Sequence, residues 1–154
     1  MIKVCKIFDE ANKEKVTNDV LRNLPEWFSP EESIIEYSEG ARSTDFYVAY
    51  DLEKPVGLIS IKFNNEYTAE IYVIGVLKDY HNKKIGTMLI DKVKNDLLNN
   101  NYKFLMVKTL GDSHPDKNYK KTRSFYKSNG FYPLEEIKEI WSESVPCLIM
   151  IQKL

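Results

Sequence analysis

The sequence predicts a three-layer α/β domain, and three observations carry that expectation. Short β-branched runs alternate with longer segments whose apolar residues recur every three or four positions. The changes between the two patterns fall at turn chemistry and helix caps. With 154 residues the chain suits one domain with a sizeable core. We therefore expect a single domain over residues 1–154, in the order β-α-α-β-β-β-α-β-α-β-β.

Residues 2–8 read as a first strand. Asp9 or Asn12 caps a helix to about residue 23, with Val16, Val20 and Leu24 along one face. Residues 24–30 break it. Ser29 is expected as the next N-cap, with Pro30 in the first helical position and Glu31 and Glu32 in the first turn. That helix runs to about residue 39, with Gly40 as its stop. A meander follows: residues 45–50, a turn over 51–55, residues 56–63, a tight Asn64-Asn65 hairpin turn in left-handed backbone, and a third strand over 66–77. Gly75 inside that strand suggests a bulge or a close backbone approach. The helix over 84–100 spaces Ile85, Leu89, Val93 and Leu97 by four, backed by Met88 and Ile90. Residues 104–110 form a strand and 111–116 a loop. A helix over 118–129 stops at Gly130, and residues 131–141 and 145–153 are two closing strands. Pro146 is confined to an edge or a strand start.

Composition excludes several function classes. Hydrophobic residues make up 43% and charged ones 29%, as in an ordinary soluble protein. The formal net charge of −1 and a pI near 6.2 argue against nucleic-acid binding. No apolar run approaches a membrane span, and the first residues lack a signal-peptide pattern, so no membrane partner and a cytoplasmic location are expected. Cys5 and Cys147 sit in apolar strands and read as buried small hydrophobes rather than a disulfide or a metal pair. His81 and His114 are the only histidines, too few for a zinc site, and no metal is expected.

The chemistry concentrates in the turn over residues 80–90. A turn that opens a helix collects free N–H groups and the positive end of the helix dipole at one spot. Lys83 and Lys84 add charge, and Gly86 admits a ligand close to the backbone. The turn reads as a pyrophosphate cradle over Asn82, Lys83, Lys84, Ile85, Gly86 and Thr87; a solvated helix start is the alternative. It carries neither the P-loop pattern nor the dinucleotide fingerprint.

The element order, this strand-turn-helix, and the run Ser124-Phe125-Tyr126-Lys127-Ser128-Asn129-Gly130-Phe131 together resemble the GNAT superfamily of acetyl-CoA-dependent N-acetyltransferases. The resemblance implies a mixed, mostly antiparallel central sheet with helices on both faces, and acetyl-CoA as co-substrate. The family's Gln/Arg-x-x-Gly-x-Gly/Ala loop falls on His81, Lys84 and Gly86, and two of these depart from it. His81 is shorter than arginine and ordinarily neutral at pH 7. Lys84 does not adopt a glycine-like positive φ cheaply, so an α-region backbone is expected there, with Asn82 supplying the left-handed turn.

The resemblance further implies a pantetheine arm along Ile74, Gly75 and Val76, and a contact from Asn118, one residue out of the usual register. It places Glu70, eleven residues before His81, as general base, and Tyr126 as the acid that protonates the departing thiolate. The residues themselves leave alternatives open. A lone Glu in so apolar a strand is expensive to bury ionised, which suits a base for an ammonium substrate, but Glu70 can equally be an edge carboxylate or pair with a lysine. Tyr126 shares a helix face with Tyr119 and Thr122 and can instead be a core residue. Trp27, Phe28 and Trp141 are candidates to line an acceptor pocket, and also ordinary core aromatics. Arg123 faces a phosphate or only a surface glutamate. The expected partner is a small-molecule or peptide amine, with a homodimer as one expected assembly. A non-catalytic acyl-CoA sensor on the same fold is the rival reading.

Overall fold

The computed structural model describes residues 1–154. Its elements follow the expected order: β1 (Ile2–Ile7), α1 (Glu10–Arg22), α2 (Glu31–Ala41), β2 (Asp45–Asp51), β3 (Lys54–Phe63), β4 (Thr68–Val76), α3 (Ile85–Asn99), β5 (Phe104–Leu110), α4 (Lys117–Ser128), β6 (Tyr132–Ser142) and β7 (Val145–Lys153). A short 3-10 turn, Lys78–Tyr80, is the one addition. The strands form a seven-stranded sheet ordered β1-β2-β3-β4-β5-β7-β6, flanked by helices. The β1–β2, β2–β3, β5–β7 and β6–β7 pairs are antiparallel, and α3 is the crossover that leads from β4 to β5. No helix is long and apolar enough to cross a membrane.

The chain divides into two compact units. The first comprises Met1–Lys62 and Ile71–Asp96, the second Phe63–Glu70 and Leu97–Leu154. In the first, Asp9 caps α1 by accepting the Asn12 amide at 2.9 Å. The apolar face of α1 (Val16, Val20, Leu21) and Leu24 beyond its end join Ile34, Phe46, Val48, Leu58 and Val73 in a buried cluster. Burying each such side chain contributes about 1.5–3 kcal/mol. Gly75 differs from the expected bulge or backbone approach: what a Cβ there would meet are side chains of the first unit, Leu24 Cδ1 at 3.1 Å and Val20 Cγ1 at 3.4 Å. The close backbone approach falls at Gly57, whose Cβ would lie 3.2 Å from the Gly75 carbonyl oxygen.

Two expectations for α2 fail. Ser29 is not its cap, and Pro30 is not its first helical residue. Pro30 is itself the N-cap, with extended backbone (φ −72°, ψ 136°) and a carbonyl that accepts from Ser33 and Ile34. A bidentate pair from Arg22 to Glu31, at 2.8 and 2.6 Å, ties down the first turn. Nor does Gly40 stop the helix, which continues through Ala41. Its missing side chain makes room instead: a Cβ would fall 2.2 Å from the Tyr72 hydroxyl oxygen.

In the second unit the Asn64-Asn65 turn differs from the two-residue left-handed hairpin expected. Neither asparagine has positive φ. The connection is longer, and Asn65 Oδ1 holds it by accepting the amides of Tyr67 (2.8 Å) and Thr68 (2.9 Å), a side chain mimicking a backbone turn. Helix α4 starts where Asp116 accepts the amides of Asn118 (2.8 Å) and Tyr119 (3.0 Å). It ends as expected at Gly130, which takes φ 93° while Phe131 N–H returns to the Tyr126 carbonyl at 3.0 Å. Pro146 is the second residue of β7, at the strand start, and Pro133 lies in the edge strand β6.

Candidate active site

Strand β4 leaves the sheet at Val76, and Leu77 N–H is held by the Val56 carbonyl at 2.9 Å. The 3-10 turn carries the chain over, and Met88 N–H closes onto the Lys84 carbonyl at 3.0 Å, so α3 begins from Lys84. The amides of Ile85, Gly86 and Thr87 form its first turn, where no intrahelical acceptor exists. Ile85 anchors the turn in the core at 1% exposure, while Asn82, Lys83 and Lys84 are exposed.

Asn82 takes φ 62°, as expected. Lys84 does not take the α-region backbone expected of it: its φ is 63°, in the left-handed region that favours glycine. A left-handed L-residue costs roughly 1–2 kcal/mol, so the fold holds this geometry against the preference of the side chain. Lys83 lies over the Tyr80 ring at 5.2 Å and Lys54 over the same ring at 5.7 Å. The Tyr80 hydroxyl donates to Asp51 Oδ2 at 2.7 Å. That bond holds the Asp51 carboxyl below the usual range, aided by the N-terminal amine and Lys83, and pushes the Tyr80 phenol up.

His81 turns inward. Its Nε2 lies 2.6 Å from the Val76 carbonyl, and because a carbonyl only accepts, Nε2 carries the hydrogen. Its ring meets Trp27 edge-on at 5.8 Å. The structure therefore brings together His81, Trp27 and the end of the Ile74–Val76 segment. Phe28 packs edge-on against Tyr37 at 5.7 Å, and both Trp27 and Phe28 border the core of the first unit.

In the second unit Glu70 is 4% exposed. Asn64 Nδ2 donates to its Oε1 at 2.9 Å, and Lys108 Nζ stands 3.7 Å from Oε2. A buried carboxylate persists only with such compensation, so Glu70 is both buried and paired with a lysine. Burial pushes the Cys147 thiol up, with smaller opposite pulls from Lys108 and Glu70, and Cys147 pairs with Leu110 on β5, two residues beyond Lys108. Lys108, Asn64 and Cys147 are the site neighbours that sequence reasoning did not single out. Period-2 alternation along β5 puts Lys108 on one face with Met106 and Leu110, but its facing carboxylate depends on strand order.

Tyr126 is 4% exposed, with Phe131 edge-on at 5.5 Å and Phe125 at 5.6 Å. Asn118 is half-buried in the first turn of α4, and its carbonyl accepts from the Thr122 hydroxyl at 3.2 Å. Trp141 stands 45% exposed on edge strand β6.

The site's geometry is thus a turn at the start of the crossover helix, with Asn82, Lys83 and Lys84 exposed beside the first amides of α3. The family model of the acetyltransferase (GNAT) family matches residues 8–131, and the chain belongs to that family. An N-acetyltransferase of Chlorobaculum tepidum, itself uncharacterized, is 28% identical over 119 residues, spanning 75% of this chain and 66% of the relative, a little under two thirds of its length. A GNAT-family acetyltransferase structure from Desulfovibrio desulfuricans superposes with a TM-score of 0.83 at 19% identity, over 99% of each chain. A GNAT acetyltransferase from Elizabethkingia anophelis with acetyl-CoA bound gives 0.70 at 18% identity, over 99% of this chain and 98% of that one.

Proposed function

We propose that this chain is an N-acetyltransferase that moves an acetyl group from acetyl-CoA to a primary amine by direct attack in a ternary complex. The observation that carries the reading is the turn before α3. Left-handed backbone at Asn82 and Lys84 leads into the free amides of Ile85, Gly86 and Thr87, with two exposed lysines beside them. Those amides and Lys83 take the coenzyme pyrophosphate, and the backbone of Ile74, Gly75 and Val76 takes the pantetheine arm.

The neutral amine nitrogen bonds to the acetyl carbon as the carbonyl π bond opens to an oxyanion held by a backbone N–H near Val76. Glu70, directly or through water, takes the proton this nitrogen sheds, and the carbonyl re-forms as the C–S bond breaks. Tyr126 returns a proton to the thiolate, a stronger acceptor than the thioester it replaces. Two free thiols, Cys5 and Cys147, suit a reducing, cytoplasmic setting.

The ion pair from Lys108 to Glu70 favours a second reading, in which the carboxylate is structural and the protein senses acyl-CoA without turnover. Two measurements separate the readings. Acetyl-CoA at a hundredfold excess over Kd stabilises the native state by about 2.7 kcal/mol under either, seen as a rise in Tm; no rise sinks both. Release of free CoA thiol across a panel of primary amines occurs only in the transferase.

A further inference from the structure

Helix α4 carries a charge that acetyl transfer does not use. Arg123 is 5% exposed. Its Nη1 donates to the carbonyls of Leu110 (2.6 Å) and Gly111 (3.3 Å), which fixes the guanidinium at the C-terminal end of β5. Nε lies at ion-pair distance from Asp112 Oδ1, yet its N–H is aligned on no acceptor. A buried permanent cation needs a well-placed anion. Here the carboxylate comes from a turn residue whose side chain is 68% exposed, and it supplies charge without the hydrogen bond.

A cavity of about 320 Å³ opens at this point, lined by Asp112, His114, Pro115, Asp116, Lys120 and Arg123. The Asp116 carboxylate is already engaged as the cap of α4. His114 Nδ1 accepts the Asp116 amide at 3.2 Å, which leaves Nε2 as the ring donor. Lys120 stands one helical turn before Arg123 on a neighbouring line of the same helix. The walls thus hold a buried guanidinium, an ammonium and an imidazole donor against one displaceable carboxylate.

We propose that this cavity is an oxyanion site. A carboxylate or a phosphate monoester displaces Asp112 from Arg123 and takes the guanidinium and Lys120, and Asp112 is the resident counter-ion of the empty site. Two sources share that chemistry: the 3′-phosphate of the coenzyme, and the carboxylate of a small acceptor or its acetylated product.

Calorimetry on the full chain with two matched pairs tests the site without turnover: CoA against 3′-dephospho-CoA, and N-acetylglycine against its amide. For one pair the oxyanion-bearing member binds about tenfold more tightly, and that pair names the source. The ratio grows in Asp112→Asn, where competition is relieved, and shrinks in Lys120→Gln; both positions are exposed, so both variants keep the fold. A purely structural ion pair predicts a lower Tm for Asp112→Asn and no change in either ratio. Equal binding within both pairs by the wild type, or a ratio that fails to rise in Asp112→Asn, overturns the proposal. Neither result bears on acetyl transfer, which stands or falls on thiol release.

Discussion

Glu70 is the residue at which the chemistry can be separated from the architecture. Its carboxylate is buried against Lys108 and Asn64, so Glu70→Gln keeps the amide partner and leaves the ammonium without its anion. We expect turnover to fall by about 10² to 10⁴ if Glu70 is the base. Coenzyme affinity should change little, because the turn proposed to hold the pyrophosphate lies elsewhere in the chain. The partner substitution is Tyr126→Phe, which retains the ring packed on Phe131 and removes only the hydroxyl. It lowers kcat if the phenol is the acid and leaves kcat unchanged across the alkaline range if the ring only packs. Both are read by steady-state thiol release at saturating acetyl-CoA, with Tm as the control for folding.

At the scale of elements, α2 and β4 are fitted to one another through a missing side chain. Gly40 sits within α2, where glycine costs about 1 kcal/mol relative to alanine, so Gly40→Ala ought to stabilise an isolated helix. In the folded protein the added methyl would lie 2.2 Å from the Tyr72 hydroxyl and 2.8 Å from its ring carbon Cζ. Tyr72 is also packed edge-on against Tyr37 at 5.3 Å, so it has little room to swing aside. Overpacking of this kind costs about 1–3 kcal/mol. Urea unfolding should show Gly40→Ala destabilised, and pairing it with Tyr72→Ala should recover part of the loss, since the two changes act on one contact.

For the whole molecule, the surface carboxylates set the response to acid. Asp51 is held low by Tyr80, Glu26 by Lys78, and Glu31 by Arg22. A carboxyl whose folded pKa is depressed contributes stability above its unfolded pKa, and that contribution is lost as pH falls through the folded value. Stability should therefore decline on acidification below pH about 4.5. The phenols act at the other end. Tyr47, beside Asp96 and mostly desolvated, and Tyr80, beside Asp51, are both pushed up. Their neutral forms are favoured by the fold, so stability is retained below pH about 10 and lost as pH rises beyond it. A Tm profile across pH should show a plateau with a fall on both sides. These pairs lie at or near the surface, so high salt should flatten the acid limb.

Much of this architecture was legible in the sequence, because local rules sufficed for it. The Asp9 cap, the Gly130 stop and the four-residue apolar spacing of α3 each depend on residues within one or two turns of one another. The turn before α3 was legible as a helix start with exposed lysines for the same reason, since both follow from residues close in sequence. What misled were positions whose neighbours are remote. Gly40 looked like a helix stop because the Tyr72 ring that requires it comes from β4. Lys84 takes φ 63° against its intrinsic preference, with the neighbouring Ile85 buried in the core, and intrinsic preference alone does not reveal it. Element order, the Asp9 cap, the Gly130 stop and the family's motif were thus determined by the sequence itself, whereas the ends of α2 were not. The lysine that faces Glu70 was decided by tertiary structure, because charge pairing across a sheet depends on which strands become neighbours. The carbonyl that His81 holds and the cavity beside Arg123 were decided by how short loops turn, which the residue types alone do not dictate.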